Sequence, residues 1–255
     1  MTNRGEKMEL KDFFENTPKA AIAFSGGVDS SYLLYAAVQA GARVQPYFIK
    51  TAFQPQFELQ DAERLARELE AELCVIDADV LSDEVICQNP QNRCYYCKKK
   101  IFSAIAEAAE NDGYSVILDG TNASDDEGDR PGIKALRELK VMSPLRECGL
   151  TKSRIRELSK EAGLFTWNKP AYACLATRIP SGERITAEKL EATEHCEGYL
   201  AELGFTDFRV RNFNGAARIQ LSVSQLEKAV EMRQQISEEL KKYYSAVLLD
   251  LEVVR

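Results

Sequence analysis

The chain has 255 residues, 45% of them hydrophobic, enough for one large domain or a full domain plus a smaller one without disulfide staples. A net charge of −7 and a pI near 5.1 argue against broad nucleic-acid binding, which ordinarily needs a basic face. The opening MTNRGEKMELKDFFENT does not resemble a signal peptide, and no stretch approaches about 20 apolar residues, so a soluble, cytoplasmic protein is expected. In chain order, Ala20 to Phe24 (AAIAF) is a short apolar run followed by a glycine turn, and Ser30 to Ala40 places Leu33, Leu34 and Ala37 at helical spacing. Arg43 to Ile49 reads as a strand, Gln56 to Ala71 as an amphipathic helix and Glu72 to Ile76 as a third strand. Residues 80–97 have weak periodicity and end in a cysteine pair; Lys98 to Glu110 is helical and Ser115 to Leu118 is a fourth strand. Strands alternating with helices predict parallel pairing and right-handed crossovers, a doubly wound α/β sheet. Ligands of such sheets sit beyond the carboxyl ends of the strands, so the loops there are expected to be neighbours.

The rhythm changes after Gly163. Trp167 to Gly182 is irregular, with Pro170, Pro180 and a Ser-Gly turn. A helix (Ala187 to Leu203), strands at Phe205 to Asn212 and Ala217 to Val223, a helix (Ser224 to Tyr244) and a last strand (Ala246 to Val254) complete the pattern. The expected domains are 1–166 and a smaller α+β domain over 167–255.

Ser25-Gly26-Gly27-Val28-Asp29-Ser30-Ser31 lies between a strand and a helix. Glycines there let backbone N–H groups approach phosphate oxygens, and the helix N-terminus favours an anion. Ser25, Ser30 and Ser31 add hydroxyls. The spacing is not that of the common P-loop. An ordinary tight turn with Asp29 or Ser30 as N-cap is the bland reading. The motif resembles the PP-loop of ATP pyrophosphatases, which implies cleavage of ATP between the α and β phosphates and an adenylated substrate. Mg2+ would bridge the leaving pyrophosphate, with Asp29 as a direct or water-mediated ligand. The loop Asp119-Gly120-Thr121-Asn122, followed by Asp125 and Asp126, also follows a strand; Gly120, Thr121 and Asn122 are nucleotide-binding candidates. Its bland reading is a solvated turn. Ser143-Pro144-Leu145 and LTKSRIRELSKEAG resemble a segment that follows the nucleotide loop in this superfamily, with Lys152 either a phosphate contact or part of a solvated face.

Seven cysteines in the expected compartment fit thiols or metal ligands better than disulfides. Cys94-Tyr95-Tyr96-Cys97, followed by three lysines, can be redox-active, bind zinc, bind an iron–sulfur cluster, or be two plain thiols. A four-cysteine zinc site lacks its second close pair, and the single His195 excludes a two-histidine site. Cys174, in an irregular segment near Lys169 and Arg178, suits a nucleophile of lowered pKa. Cys74 reads as core, and Cys87, Cys148 and Cys196 carry no signal.

Together SGGVDSS, RCYYCK, DGTNASDD, KPAYACLATRIPSG and the terminal LLDLE resemble the ATP-dependent sulfur transferase family LarE over essentially the whole chain. The resemblance implies adenylation of pyridinium-3,5-biscarboxylic acid mononucleotide and its conversion to a thiocarboxylate for the nickel-pincer nucleotide. It also implies a homo-oligomer, often a hexamer. Two sulfur strategies exist in the family. Either the residue matching Cys174 surrenders its own sulfur, or residues matching Cys94, Cys97 and Cys174 hold a [4Fe-4S] cluster with one iron open; three cysteines favour the second. Arg209 and Arg211 alternate on one strand face (FRVR), a spacing suited to clamping the substrate's anionic groups. Glu197 matches a polar residue of the family's substrate region, and Arg178 lies close enough to the cysteine to steer the same anion; a solvated charge is the bland reading of each. The rivals are a tRNA thiolase, an amide-forming synthetase and a non-catalytic nucleotide sensor. Acidic balance, the lack of a glutaminase-like segment, and intact Asp29, Ser30 and cysteines weigh against them.

Overall fold

The computed structural model describes residues 8–125 and 131–252, so Asp126, Val253 and Val254 lie outside the described residues. The chain divides into two compact units. The first takes the chain up to Thr51, Gln56–Ala78 and Asn92–Ala171; the second takes Ala52–Pro55, Asp79–Gln91 and the chain from Tyr172 onward.

In the first unit β1 (Lys19–Ala23), β2 (Arg43–Lys50), β3 (Cys74–Asp77) and β4 (Ile117–Leu118) form a parallel sheet in the order β3-β2-β1-β4. The run AAI can take the middle of this sheet because it has nothing polar to hide. Ala20 and Ile22 pack with Leu33, Leu34, Ala62 and Leu65 on one face, while Ala21 packs with Phe102, Ile105 and Ala109 on the other. Such two-sided burial is what parallel strands require, and each fully buried large aliphatic side chain contributes about 1.5–3 kcal/mol. Helices Val28–Gln39, Gln56–Glu68 and Lys152–Glu161 supply the first face, and Arg93–Asn111 with Pro131–Glu138 the second. The result is the doubly wound α/β architecture.

The strand order turns at β1: β2 and β3 lie to one side and β4 to the other. Ala21 pairs with Ile117 and Ile22 with Leu118, so the turns leaving β1 and β4 emerge side by side at the switch point. A bridge from Leu118 to Met142 brings Ser143 to the same edge.

The helix expected from Lys98 begins at Arg93, so Cys94 and Cys97 lie within its first two turns. Nothing in Arg93–Lys98 breaks a helix, whereas the lost apolar periodicity had suggested an irregular lead-in. In the second unit β5 (Arg209–Phe213) pairs antiparallel with β6 (Ala216–Gln220), which pairs parallel with β7 (Val247–Leu249). The hairpin turns on Asn214 and Gly215, both at positive φ (52° and 80°), the combination a two-residue turn of matching twist demands. Val210, Ala217, Ile219 and Leu221 pack with Cys196 and Leu200 of helix Ala187–Glu202 and with Ile236 and Leu240. The single helix expected over 224–244 is a 3-10 turn (Val223–Gln225) and two helices, Leu226–Glu231 and Arg233–Leu240, that break at Met232. No Gly or Pro stands at that break to announce it.

The weak periodicity of residues 80–91 has a physical cause. Its polar groups are satisfied by distant chain: Asn89 O accepts from Gly182 N at 2.8 Å, Cys87 O from Ile185 N at 2.8 Å, and Asn89 Nδ2 donates to Pro180 O at 2.8 Å.

Candidate functional site

The glycine turn is held by its own hydroxyls. Ser30 Oγ accepts from Ser25 N at 3.3 Å and lies 3.1 Å from Ser25 Oγ, and it reaches Gly27 O at 3.3 Å. Gly26 has φ +66°, and a Cβ there would stand 3.0 Å from Ala62 N on helix Gln56–Glu68. Gly120 presses from the other side: its Cβ would meet Ser30 N at 2.9 Å. Only two glycines let the turns from β1 and β4 close on the helix N-terminus, leaving a cradle lined by main chain.

Asp29 lies in the first turn of that helix, after the N-cap Gly27. Its Oδ2 accepts from Lys152 Nζ at 2.6 Å, while its Oδ1 is buried with no hydrogen-bond partner. Burial pushes the Asp29 carboxyl above its ordinary value, against the pull of Lys152. A buried carboxylate oxygen with an unused lone pair suits a cation, so the residues fit Mg2+. Lys169 Nζ bonds Gly26 O at 3.1 Å and pairs with Asp61 Oδ2 at 2.7 Å, fixing the turn to helix Gln56–Glu68. Arg156 holds the carbonyls of Trp167 and Lys169, both at 2.8 Å. Ser31 is fully buried in the helix.

The second loop is braced from within. Asp119 accepts from Thr121 N, Thr121 Oγ1 and Ser143 Oγ, and Asn122 N donates to Asp125 Oδ2 at 2.9 Å. Thr121 and Asn122 therefore shape the turn, and Gly120 makes its closest approach to the cradle. Asp61 carried no signal in the sequence, because an acid on an amphipathic helix looks solvated; Lys169 stood out there only as a charge near Cys174 and Ser143 only as part of the Ser143-Pro144-Leu145 segment, not for the bonds they make here.

Two cysteines of the first unit, Cys94 and Cys97, are in no disulfide and lie about one helical turn apart, the first exposed and the second half-buried. In the second unit Cys174 is half-buried, in no disulfide, and stands directly before the 3-10 turn Leu175–Arg178. Among the described residues no three or more His, Cys, Asp or Glu side chains form a metal-binding group. The thiol donors nevertheless have the chemistry an iron–sulfur cluster requires.

Arg178 is 1% exposed and Glu197 5%. They form a two-pronged pair, Nε to Oε1 at 2.8 Å and Nη2 to Oε2 at 3.1 Å. Glu197 also accepts from Tyr172 OH at 2.6 Å and Val210 N at 2.9 Å, and Arg178 bonds Ala173 O at 2.9 Å. The two expected substrate ligands thus bond each other, with Cys174 next to Ala173 in the chain. Burial lowers the Arg178 guanidinium, but the bonds to Glu197 outweigh it and leave it above its ordinary value. Arg209 and Arg211 share one face of β5 as their spacing predicts. Burial, and then the charge of Arg178, hold both below the usual guanidinium range.

Residues 19–89 match the family model described as queuosine biosynthesis protein QueC, a stretch that contains the glycine turn. The pyridinium-3,5-bisthiocarboxylic acid mononucleotide synthase of Lactiplantibacillus plantarum is 32% identical over 96% of this chain and 90% of its own length. An uncharacterized protein of Synechocystis is 37% identical over 87% of the chain and 83% of its own length. Another, from Methanocaldococcus jannaschii, is 32% identical over 98% and 95%. With the PP-loop fold, a glycine cradle at the switch point and full-length similarity in hand, the chain belongs to the LarE family of ATP-dependent sulfur transferases.

Proposed function

We propose that the chain activates a carboxylate of pyridinium-3,5-biscarboxylic acid mononucleotide with ATP and converts it to a thiocarboxylate, for the nickel-pincer nucleotide. The observation that carries this reading is the unpartnered, buried Oδ1 of Asp29 inside the two-glycine cradle. Backbone N–H groups of the Gly26-Gly27 turn and the hydroxyls of Ser25, Ser30 and Ser31 receive the ATP phosphates, with Gly120, Thr121 and Asn122 forming the opposite wall. Asp29 would hold Mg2+, a group that would supply charge neutralisation to the leaving pyrophosphate. A substrate carboxylate oxygen attacks the α phosphorus, the bond to the bridging oxygen breaks, and pyrophosphate departs. Sulfur then attacks the acyl carbon and AMP leaves. Arg209 and Arg211 take the substrate's anionic groups, supported by the Arg178–Glu197 pair.

Cys94, Cys97 and Cys174 are the thiolates that would hold a [4Fe-4S] cluster, a group that supplies an open iron for a transferable sulfide. The rival branch uses Cys174 alone: its thiolate attacks the acyl adenylate, then the Cα proton and the Cβ–S bond are lost, leaving dehydroalanine. Cys174 is half-buried and in no disulfide, which this branch requires. The enzyme works in the cytoplasm as a homo-oligomer, with a hexamer as the expected assembly.

Product analysis tests the reading. With substrate present, AMP and pyrophosphate are expected; ADP and orthophosphate would overturn the PP-loop chemistry. Anaerobic purification with iron and sulfide assays separates the branches. Iron bound to the unmodified chain and lost from each cysteine-to-alanine variant supports the cluster. A single turnover without iron, with the mass of hydrogen sulfide lost from Cys174, supports the sacrificial route.

A further inference from the structure

The outer face of the β5–β6 ribbon carries a third arginine that the clamp described above leaves unused. Arg209 and Arg211 of β5 stand opposite Gln220 and Arg218 of β6, so Arg211 and Arg218 face each other directly across the strands. Like charges in that position repel, and an anion between them relieves the repulsion. Burial first, and then the charges of Arg178, Arg218 and Arg209, depress the Arg211 guanidinium.

The three arginines are not equally engaged. Arg211 donates through Nε to Gln220 Oε1 and through Nη1 to Thr177 O, and Arg209 donates to Phe208 O. The Arg218 side chain donates no hydrogen bond among the described residues. Its Nε is buried and lies 3.3 Å from Asp250 Oδ2, at ion-pair distance but without hydrogen-bond alignment. Its guanidinium also lies 5.0 Å from the ring of Phe213. Asp250 is secured by others: Oδ1 accepts from Glu252 N at 3.0 Å and Oδ2 from Gln220 Nε2 at 2.9 Å. A carboxylate is thus lodged beside a guanidinium that it neutralises without binding well.

We propose that Arg218 and Arg211 together seat an oxyanion of the substrate, and that Asp250 is the resident counter-anion which this group must displace from Arg218. The inference rests on the clamp reading of Arg209 and Arg211. The terminal nitrogens of Arg218 and the Nη2 of Arg211, which the bonds to Gln220 and Thr177 leave over, suit a phosphate or a carboxylate oxygen. The resident carboxylate then sets a threshold of charge. A phosphate monoester, at about −1.5 to −2, outcompetes Asp250, while a singly charged carboxylate does so poorly. The seat therefore selects the phosphate end of a mononucleotide and leaves its carboxylates to the chemistry.

Titration calorimetry on the full-length chain, with inorganic phosphate and separately with acetate, tests this. Phosphate is expected to bind more tightly than acetate. Arg218→Gln should weaken phosphate binding at least about tenfold, with Arg218→Lys intermediate. Asp250→Asn should tighten phosphate binding about twofold to fivefold and narrow its advantage over acetate. In the Arg218→Gln background, Asp250→Asn should have no effect. Unchanged phosphate affinity in Arg218→Gln, an Asp250→Asn effect that survives without Arg218, or a preference for acetate each overturns the inference. Arg209→Ala and Arg211→Ala separate the two readings. If they lose phosphate and Arg218→Gln does not, the clamp stands and the third arginine falls; if none of the three matters, both fall.

Discussion

The glycine turn and the arginine face are built by opposite means. Around the turn, position comes from the main chain: Gly26 and Gly120 have no side chain because Ala62 N and Ser30 N occupy that space. In the second unit, position comes from long side chains that reach between elements, as Arg178 does to Glu197 and Arg211 to Thr177 O. A site of the first kind fails when volume is added. One of the second kind fails when a charge is removed.

The largest effect should follow from breaking the buried pair. Glu197→Ala leaves the Arg178 guanidinium buried without its partner, and a loss of about 3–5 kcal/mol is expected in denaturant unfolding. A loss below about 1 kcal/mol would mean that the second unit does not depend on charge in this way. Gly120→Ala comes next, since its Cβ would stand 2.9 Å from Ser30 N. Overpacking of this kind costs about 1–3 kcal/mol, and pyrophosphate release should fall with it. Normal turnover in that variant would show that the cradle tolerates volume. Gly198 sharpens the contrast, because it sits within helix Ala187–Glu202 at ordinary φ with nothing within 4 Å of an added Cβ. Gly198→Ala should raise stability by about 0.4–1 kcal/mol, measured by the same unfolding curves.

The smallest effect belongs to an exposed pair. Arg184 bonds pull the Glu84 carboxyl down to about 2, with Gln88 adding to the pull. A depressed carboxylate stabilises the fold above its unfolded value of 4.5, and that contribution is lost as pH falls through about 2. Arg184→Gln should therefore flatten the acid limb of stability against pH over that window while barely moving the neutral value. An unchanged acid limb would show that solvent screens the pair completely.

Legibility followed the same division. The run AAIAF and the turn after it could be read because burial on both faces and positive φ each restrict which residues can serve. FRVR was legible through its period of two. The inward pairing of Arg178 with Glu197 was not, because a charge in an irregular segment and another on a helix look solvated until the fold brings them together. Arg218 escaped for a related reason: its importance lies in cross-strand register, which the hairpin turn at Asn214-Gly215 sets. Cys94 and Cys97 were found as a pair, but their place in a helical turn was hidden by residues that carry no apolar period.

The stitching of Asp79–Gln91 into the second unit has a consequence for synthesis from the N-terminus. Asn89 is 1% exposed, and its side-chain amide donates to carbonyls 90 and 91 positions further along the chain. While the ribosome builds the intervening chain, the carbonyls of Ile179 and Pro180 that accept from this amide do not yet exist. The first unit's strands are complete long before then, at Leu118. The nascent protein thus carries a finished sheet with an unfinished loop in its middle, and the loop sets only when Ile179 to Ile185 clear the exit tunnel. By the same logic, a fragment starting at Tyr172 lacks the backbone partners of Gly182 and Ile185, so cutting the chain at the unit boundary removes part of the second unit.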